Sequence, residues 1–562
     1  MNYTSEVESS ISERNYGDNQ TSSQIHSLAS GQIASHVADI TATLPLGKPQ
    51  ALTVLPTDAI ARRFVDAYFR NVNRAYPFVN RTKVLNDLEI FGTLSQHSRS
   101  ADSTLLYLIM AIGCTTLQRA GEIPPDTAAS RFEIPYSDII QECLCKEDIE
   151  SLQILVLLAL YSLFDPKSTS TWSIVGIVSR QAMLLGLTQR DPDEKALSAI
   201  DIELRRRLFW SIYVLDRMMA SSLGMSPALV DNNLDVPLPG LTLEEFASCD
   251  RAYYTMILQT SRHVIQLRRL EDRILQQVHL NAMSPHTNRP TVLKDIRADI
   301  ENWYSHGCLI SPTEPDNVPI HNSITWLGAR YYFLLILLYF PTQPSSEHTI
   351  SQCELLRFTQ KHLQLTSALF QQNQLPLNKV TLFRLFPVGV VMIHSYITSG
   401  TEIASSCPVR DEVATLLAIF EAFPESWKHA HLAADIFRQF LATVDTTPDL
   451  GAALRFPRSF ATTQLEGSQG AHHRSVLRSL FSSLSALMQD ALGKSSCYRI
   501  PNPAETMVSS FEMSLARQEP LFNPVSSSSN FHAAAYAAST GVNVNEEPMP
   551  DYEFRPLDLD FL

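Results

Sequence analysis

The stretch ELRRRLFWSIYVLDRMMASSLGMSPALVDNNLDVPLP, Glu203–Pro239, decides the fold class. Leu204, Leu208, Ile212, Leu215 and Met219 recur at helical and not at strand spacing. Phe209, Trp210 and Val214 widen that stripe, so the spacing predicts a helix over 201–223 that is flanked on several sides. Gly224 is placed to stop it, and Pro227, Pro237 and Pro239 keep the following segment extended. Glu203 stands three and four residues before Arg206 and Arg207, the favourable acid-first order. Arg205, Arg206 and Arg207 lie near the N-terminal end of the helix, where its dipole disfavours cations, so they require acidic neighbours. Two readings of the arginines stand side by side. They are the polar side of a structural helix, paired with Glu203 and with acids of neighbouring helices, or they contact nucleic acid. The large apolar side chains Leu208, Phe209 and Trp210 directly behind them favour the first.

The rest of the 562-residue chain extends this pattern. Hydrophobic residues make up 45% and charged residues 18%, a composition that folds. Nineteen glycines are about half the usual ~7%, which favours helices over turn-rich β folds. Asp58 opens a helix carrying Ala61, Phe64, Val65 and Phe69, expected to end at Pro77. Leu105–Leu117 is apolar almost all round and reads as a buried helix, with Gly113 a point of close helix approach. Asp148 is a cap for the run to Asp165, and Thr171–Asp191 is helical with Gly186 near its end. Further helical patterns cover 249–281, 290–306, 322–340, 351–372, 379–400, 409–422 and 425–444, with one more over 477–492. The expected fold is all-α, a large antiparallel helical array with disordered N- and C-terminal tails.

The expected division is a disordered segment over 1–50, a regulatory body over 55–445, a weakly structured stretch over 446–516 and a disordered tail over 517–562. Within the tail, residues 546–562 alternate six acids with Tyr552, Phe554, Leu557, Leu559, Phe561 and Leu562. Acidic–hydrophobic alternation is the composition of an activation segment, because the acids keep apolar side chains solvated until a partner groove captures them. A solvated tail is the alternative.

Charge and motif content exclude several classes. A net charge of −14 disfavours nucleic-acid binding by the chain itself. The first twenty residues show no apolar secretory core. The apolar runs 154–164 and 331–340 fall short of the ~18 residues of a membrane span, so no membrane partner is expected. The eight cysteines (114, 143, 145, 249, 308, 353, 407 and 497) are scattered and read as buried or inert thiols. His429 and His431 diverge on a helix, and His472-His473 sits beside Arg474. No nucleophile elbow, metalloprotease helix, phosphate loop or dinucleotide fingerprint is found. Glu203 and Asp216 have arginines close by, and Asp235 has no partner base, so no catalytic, cofactor or metal residue is assigned.

Three blocks together resemble the middle homology region of fungal zinc-cluster transcription factors. Trp172, Gly176, Arg180, Ala182 and Gly186 are similar to the family's Trp…Gly…Arg-x-Ala…Leu-Gly-Leu helix. Glu203, Arg205, Arg206, Arg207, Trp210, Asp216 and Arg217 resemble its Glu-x-Arg-Arg-Arg…Trp…Asp-Arg helix. Gly224, Asp235, Pro237 and Pro239 resemble its closing extended segment. Residues 326–341 and 426–437 look like later family helices. Thr188 stands where the family often has His, and Gly224-Met225-Ser226-Pro227 where it has Gly-Arg-Pro. The resemblance implies a nuclear transcription regulator over 55–445, by family habit of a specialised-metabolite or catabolic gene set. The family's reader is an N-terminal Zn₂Cys₆ module, and this sequence has no cysteine before Cys114. The expectation is therefore a regulator body that contacts DNA indirectly, through another transcription factor subunit or as a homodimer, with its acidic tail engaging the transcription machinery. Zinc is expected only with an upstream segment that carries the cluster. A small-molecule effector fits the family. The alternative is a non-activating inhibitor or scaffold that dimerises with an intact family member.

Overall fold

Apolar stripes too wide for one neighbour force these helices into layers, and the layers are the fold. The computed structural model describes residues 58–93, 102–124, 127, 132–166, 170–190, 197–280, 288–308, 324–342, 350–398, 409–445 and 463–500. The segments 1–50 and 517–562, with the six apolar residues of the acidic segment, lie outside them.

Sixteen α-helices and no strand occur among the described residues. The first seven are α1 (Asp58–Asn71), α2 (Arg81–Thr93), α3 (Asp102–Arg119), α4 (Tyr136–Lys146), α5 (Ile149–Ser162), α6 (Thr171–Leu184) and α7 (Ala199–Leu223). An extended segment with one 3₁₀ turn, Asp231–Asn233, leads to the short α8 (Leu243–Ala247). Then follow α9 (Arg251–Ile274), α10 (Arg289–Cys308), α11 (Ile324–Leu338), α12 (Gln352–Gln371), α13 (Lys379–Thr398), α14 (Arg410–Glu421), α15 (Lys428–Asp445) and α16 (Thr463–Leu492). This is the all-α array expected from the periodicity.

Local chemistry sets the helix ends. The Asp148 carboxylate accepts the Ser151 N–H at 2.7 Å and opens α5. Ser198 does the same for α7 through the Asp201 N–H. Thr242 and Glu245 form a reciprocal capping box on α8. The helix expected to run to Pro77 stops at Asn71, because the Val72 and Asn73 N–H groups both turn back to the Tyr68 carbonyl. The helices α2, α4 and α8 were not expected. They are short or mostly polar, so their period is weak. Among the described cysteines Cys114 and Cys143 are buried and Cys145 and Cys249 exposed, and all six are free thiols.

Two packed halves meet at the centre. In the first, α3 and α5 pack side by side, with α1 on α3 and α6 on α5. Gly113 is the contact point of α3 and α1, where a Cβ would stand 1.9 Å from the Phe64 carbonyl oxygen. In the second, α11 pairs with α12, α12 with α13, and α16 lies across α13 and α15. The joint is α7, which touches α5, α6, α9 and α13. The one described helix long and apolar enough to cross a membrane is α13, a feature the sequence reading passed over; 83% of its apolar window is buried inside the fold.

Two outcomes follow from this packing. Leu477, Phe481, Leu484, Met488 and Tyr498 are buried. Truncation after Asp445 therefore opens several large-residue cavities worth about 2–5 kcal/mol each. The truncated chain is expected to lose its cooperative melt, while truncation after Ile500 keeps it, as read by differential scanning calorimetry.

His263 of α9 stacks on Trp303 of α10 at 4.7 Å, and burial, aided by the nearby His306, pushes its pKa from 6.5 down to about 4. Between those values the unfolded chain binds a proton that the folded chain refuses, so stability falls as pH drops through that window. The loss attributable to His263 should be on the order of 3 kcal/mol, and His263→Gln should flatten it in urea titrations between pH 7 and 4.

Candidate functional site

The candidate site is the face of α7 that holds the extended segment 225–240. That segment forms no sheet, and Pro227, Pro237 and Pro239 have no N–H. Its polar backbone must be met by side chains.

Arg207 makes the first pin. Its side chain is only 7% exposed, so it is part of the interior and not the wet edge. Nη1 and Nη2 donate to both Glu245 oxygens at 2.8 and 2.6 Å, Nη2 also to the Gly240 carbonyl at 2.7 Å, and Nε to Glu203 at 3.2 Å. Glu203 in turn accepts the Gly240 N–H at 2.7 Å. Burial works against both charges. It raises the Glu203 carboxyl despite the Gly240 bond and Arg207. For Arg207 the bonds to Glu245 and Glu203 outweigh burial and hold its pKa up. The other two arginines lie at the margin. Arg206 approaches Glu203 at 3.8 Å, and Arg205 donates to the Leu185 carbonyl at 3.3 Å.

One turn on, the Trp210 indole N–H donates to the Pro237 carbonyl at 2.7 Å. Arg262 of α9 donates to the Pro239 carbonyl at 2.8 and 2.5 Å, and Arg269 lies 5.2 Å over the Trp210 ring.

Asp216 and Arg217 make the second pin. Asp216 accepts the Ala228 and Leu229 N–H groups at 2.9 Å. Arg217, 1% exposed, donates to Asp216 at 3.0 Å, to the Leu229 carbonyl at 2.9 Å and to Asp231 at 2.5 Å, and sits 3.8 Å over the Tyr213 ring. Burial raises the Asp216 carboxyl, against its two backbone donors and Arg217.

The last turn joins a network that the sequence reading did not find. Ser221 donates to Glu271 of α9 at 2.7 Å. Arg268 donates to the same carboxylate at 2.7 and 2.8 Å, and Arg384 of α13 at 3.2 Å. Arg384 also donates to Ser222 at 3.2 Å. Burial would raise Glu271, but the two guanidinium groups hold it below the usual carboxylate range. One signal could have found it: Arg384 is a lone charge inside the apolar run VTLFRLFPVGVV.

The remaining motif residues are scattered around this face. Asp235 is exposed, pairs with Arg190 at 3.3 Å and gives its N–H to the Thr188 carbonyl. Arg180 is exposed and Trp172 and Gly176 half-buried on the outer side of α6, with Gly186 just past its end. Gly224 closes α7 in the left-handed region at φ 68°. Arg190, Arg205 and Arg206 line a small cleft of about 30 Å³, open to solvent, with Leu187, Val236 and Pro237. Among the described residues no group of three or more His, Cys, Asp or Glu is placed to hold a metal. His429 bonds Asp490 and His431 the Pro424 carbonyl, so the two imidazoles are used separately.

Residues 65–305 match the model of the fungal specific transcription factor domain. Protein STB5 of Saccharomyces cerevisiae is 29% identical over 411 residues, which are 68% of this chain and 54% of STB5. The negative regulator of pleiotropic drug resistance STB5 of Candida glabrata is 31% identical over 44% of this chain and 26% of its own. The probable transcription factor FUP6 of Fusarium proliferatum is 27% identical over 34% of this chain and 29% of its own. The chain thus spans about half the length of the first relative and less of the others. No solved structure matches. The matches show that residues 65–305 are similar to the fungal specific transcription factor domain and that part of the chain is similar to these relatives.

Asp216→Asn should lower stability by about 3 kcal/mol, the low end for a broken buried pair, since Arg217 keeps only the half-exposed Asp231 as a carboxylate partner. Arg205→Gln, at the half-buried margin, should lose less than about 1 kcal/mol. Urea unfolding of both variants measures the contrast.

Proposed function

We propose that this chain is the regulatory and interaction body of a nuclear transcription regulator of the fungal zinc-cluster type, and that another subunit supplies its contact with DNA. The observation that carries this is the direction of the arginine motif. Arg207 and Arg217 are spent on Glu203, Glu245, Asp216 and Asp231 inside the fold, so the motif is not a phosphate-binding surface. The net charge of −14 points the same way. In this reading residues 546–562 are the activation segment, and the targets are a specialised-metabolite or catabolic gene set.

A second reading has one observation behind it. The Candida glabrata relative carries the name of a negative regulator, which fits a body that dimerises with an intact family member without activating. A tethering assay separates the two. The full chain and a chain lacking Glu546–Leu562 are fused to a borrowed DNA-binding domain and read on a reporter. Output at least several-fold above background that collapses on deletion is expected. Background output from abundant nuclear protein sinks the activator reading and favours the inhibitor.

A further inference from the structure

Arg70 lies in the last turn of α1, Arg74 in the turn that follows it, and Arg81 at the start of α2. Among the described residues no carboxylate stands within ion-pair distance of any of the three. Asp66, one turn before Arg70, pairs with Arg62 at 3.6 Å instead. Arg74 Nε and Nη1 and Arg81 Nε are buried and find no acceptor in the protein. Arg217 also leaves its Nε unanswered, but its charge is met by Asp216 and Asp231. The first turn of α2 adds to the imbalance, because a helix N-terminus disfavours a cation such as Arg81 and favours an anion. Tyr253, near the start of α9, ties the three together. Its hydroxyl donates to the Phe69 carbonyl at 3.2 Å, and Arg81 lies 5.9 Å over the Phe69 ring. Burial raises the Tyr253 phenol, and Arg81, Arg74 and Arg70 all pull it back. Burial lowers the Arg74 pKa and Arg70 adds to the shift, whereas the group that opposes it is the Tyr253 phenol and not a carboxylate. Glu245 and Asp250 bear on the neighbouring Tyr254, and Glu245 is already bonded to Arg207.

We propose that Arg70, Arg74 and Arg81, beside Tyr253, form a binding site for the phosphoryl group of a small molecule. A phosphoryl dianion brings three acceptor oxygens and about two charges to one point, where three guanidinium forks can share them. A carboxylate brings two oxygens and one charge, and a dicarboxylate carries its two charges apart. The unanswered donors of Arg74 and Arg81 lie beneath the surface, so the group that reaches them is small. A net charge of −14 works against a polyanion at the same place. The half-buried rings of Tyr253 and Tyr254, 5.5 Å apart, offer apolar surface to an organic group beyond the phosphoryl. The site lies away from the α7 motif and does not rest on the regulatory reading above.

Phenylglyoxal modifies guanidinium groups, and peptide mass spectrometry reads each arginine of the full chain separately. The probe is inorganic phosphate at about pH 8, where a phosphoryl group is a dianion. Against potassium chloride of equal ionic strength it should slow modification of Arg74 and Arg81 about fivefold and leave Arg190, which pairs with Asp235, unchanged. Equal effects of phosphate and chloride at Arg74 and Arg81, or equal slowing at Arg190, would overturn the site. Protection by malonate equal to that by phosphate overturns the phosphoryl assignment. Protection by a short DNA duplex at the same phosphate concentration overturns the small ligand. Phenyl phosphate that half-protects at a lower concentration than inorganic phosphate identifies a monoester, and the reverse order identifies the free anion; either order supports the site. Arg74→Lys keeps the charge and loses the fork, so the phosphate concentration that half-protects Arg81 should rise about tenfold, whereas Arg190→Gln should not move it. An unchanged half-protection in folded Arg74→Lys removes Arg74 from the site. Should that variant fail to fold, protection of the wild-type chain decides.

Discussion

An extended, proline-bearing segment laid against a helix has no ladder partner, and that constraint organises this fold. Residues 225–240 must place their carbonyl and N–H groups somewhere. They place them on the side chains of α7 and α9: Arg207 and Glu203 at Gly240, Arg262 at Pro239, Trp210 at Pro237, Arg217 and Asp216 at Leu229. The pins come from positions 203, 207, 210, 216 and 217, so one helix registers the whole segment. A one-residue slip would strand several buried charges together. Geometry is thereby fixed more firmly than apolar contact alone could fix it, because apolar contacts tolerate sliding.

Buried charges are poor sources of stability by themselves, since desolvation consumes most of the attraction. Their value here is in coupling. Glu271 receives a bond from α7, a guanidinium from its own helix and another from α13. Each partner thus ties α7, α9 or α13 to the same carboxylate. The joint ties three helices through polar side chains buried at the centre of the body.

Much of this was legible in sequence because it is local. Helices α1, α3, α5, α6, α7 and α9–α15 announce themselves by apolar period, and Asp148, Gly224 and the acid-first pair Glu203–Arg207 by short-range chemistry. What failed was also local in cause. The helices α2, α4 and α8 are too short or too polar to show a period. Arg207 is paired as expected with Glu203 and an acid of a neighbouring helix, but its burial was not legible, because that acid, Glu245, is thirty-eight residues away and belongs to a five-residue helix.

By itself the sequence determined the helical class, the caps and stops of its longer elements, and the composition of its acidic segment, since each of these depends on residues within a few turns of one another. The tertiary structure alone decided which charges are buried, that Arg384 and Glu271 meet, and that Tyr498 returns to Ser221 across 277 positions. These contacts join residues far apart in the chain, and a pattern read over one helical window carries no information about which distant side chain will supply a buried charge with its partner.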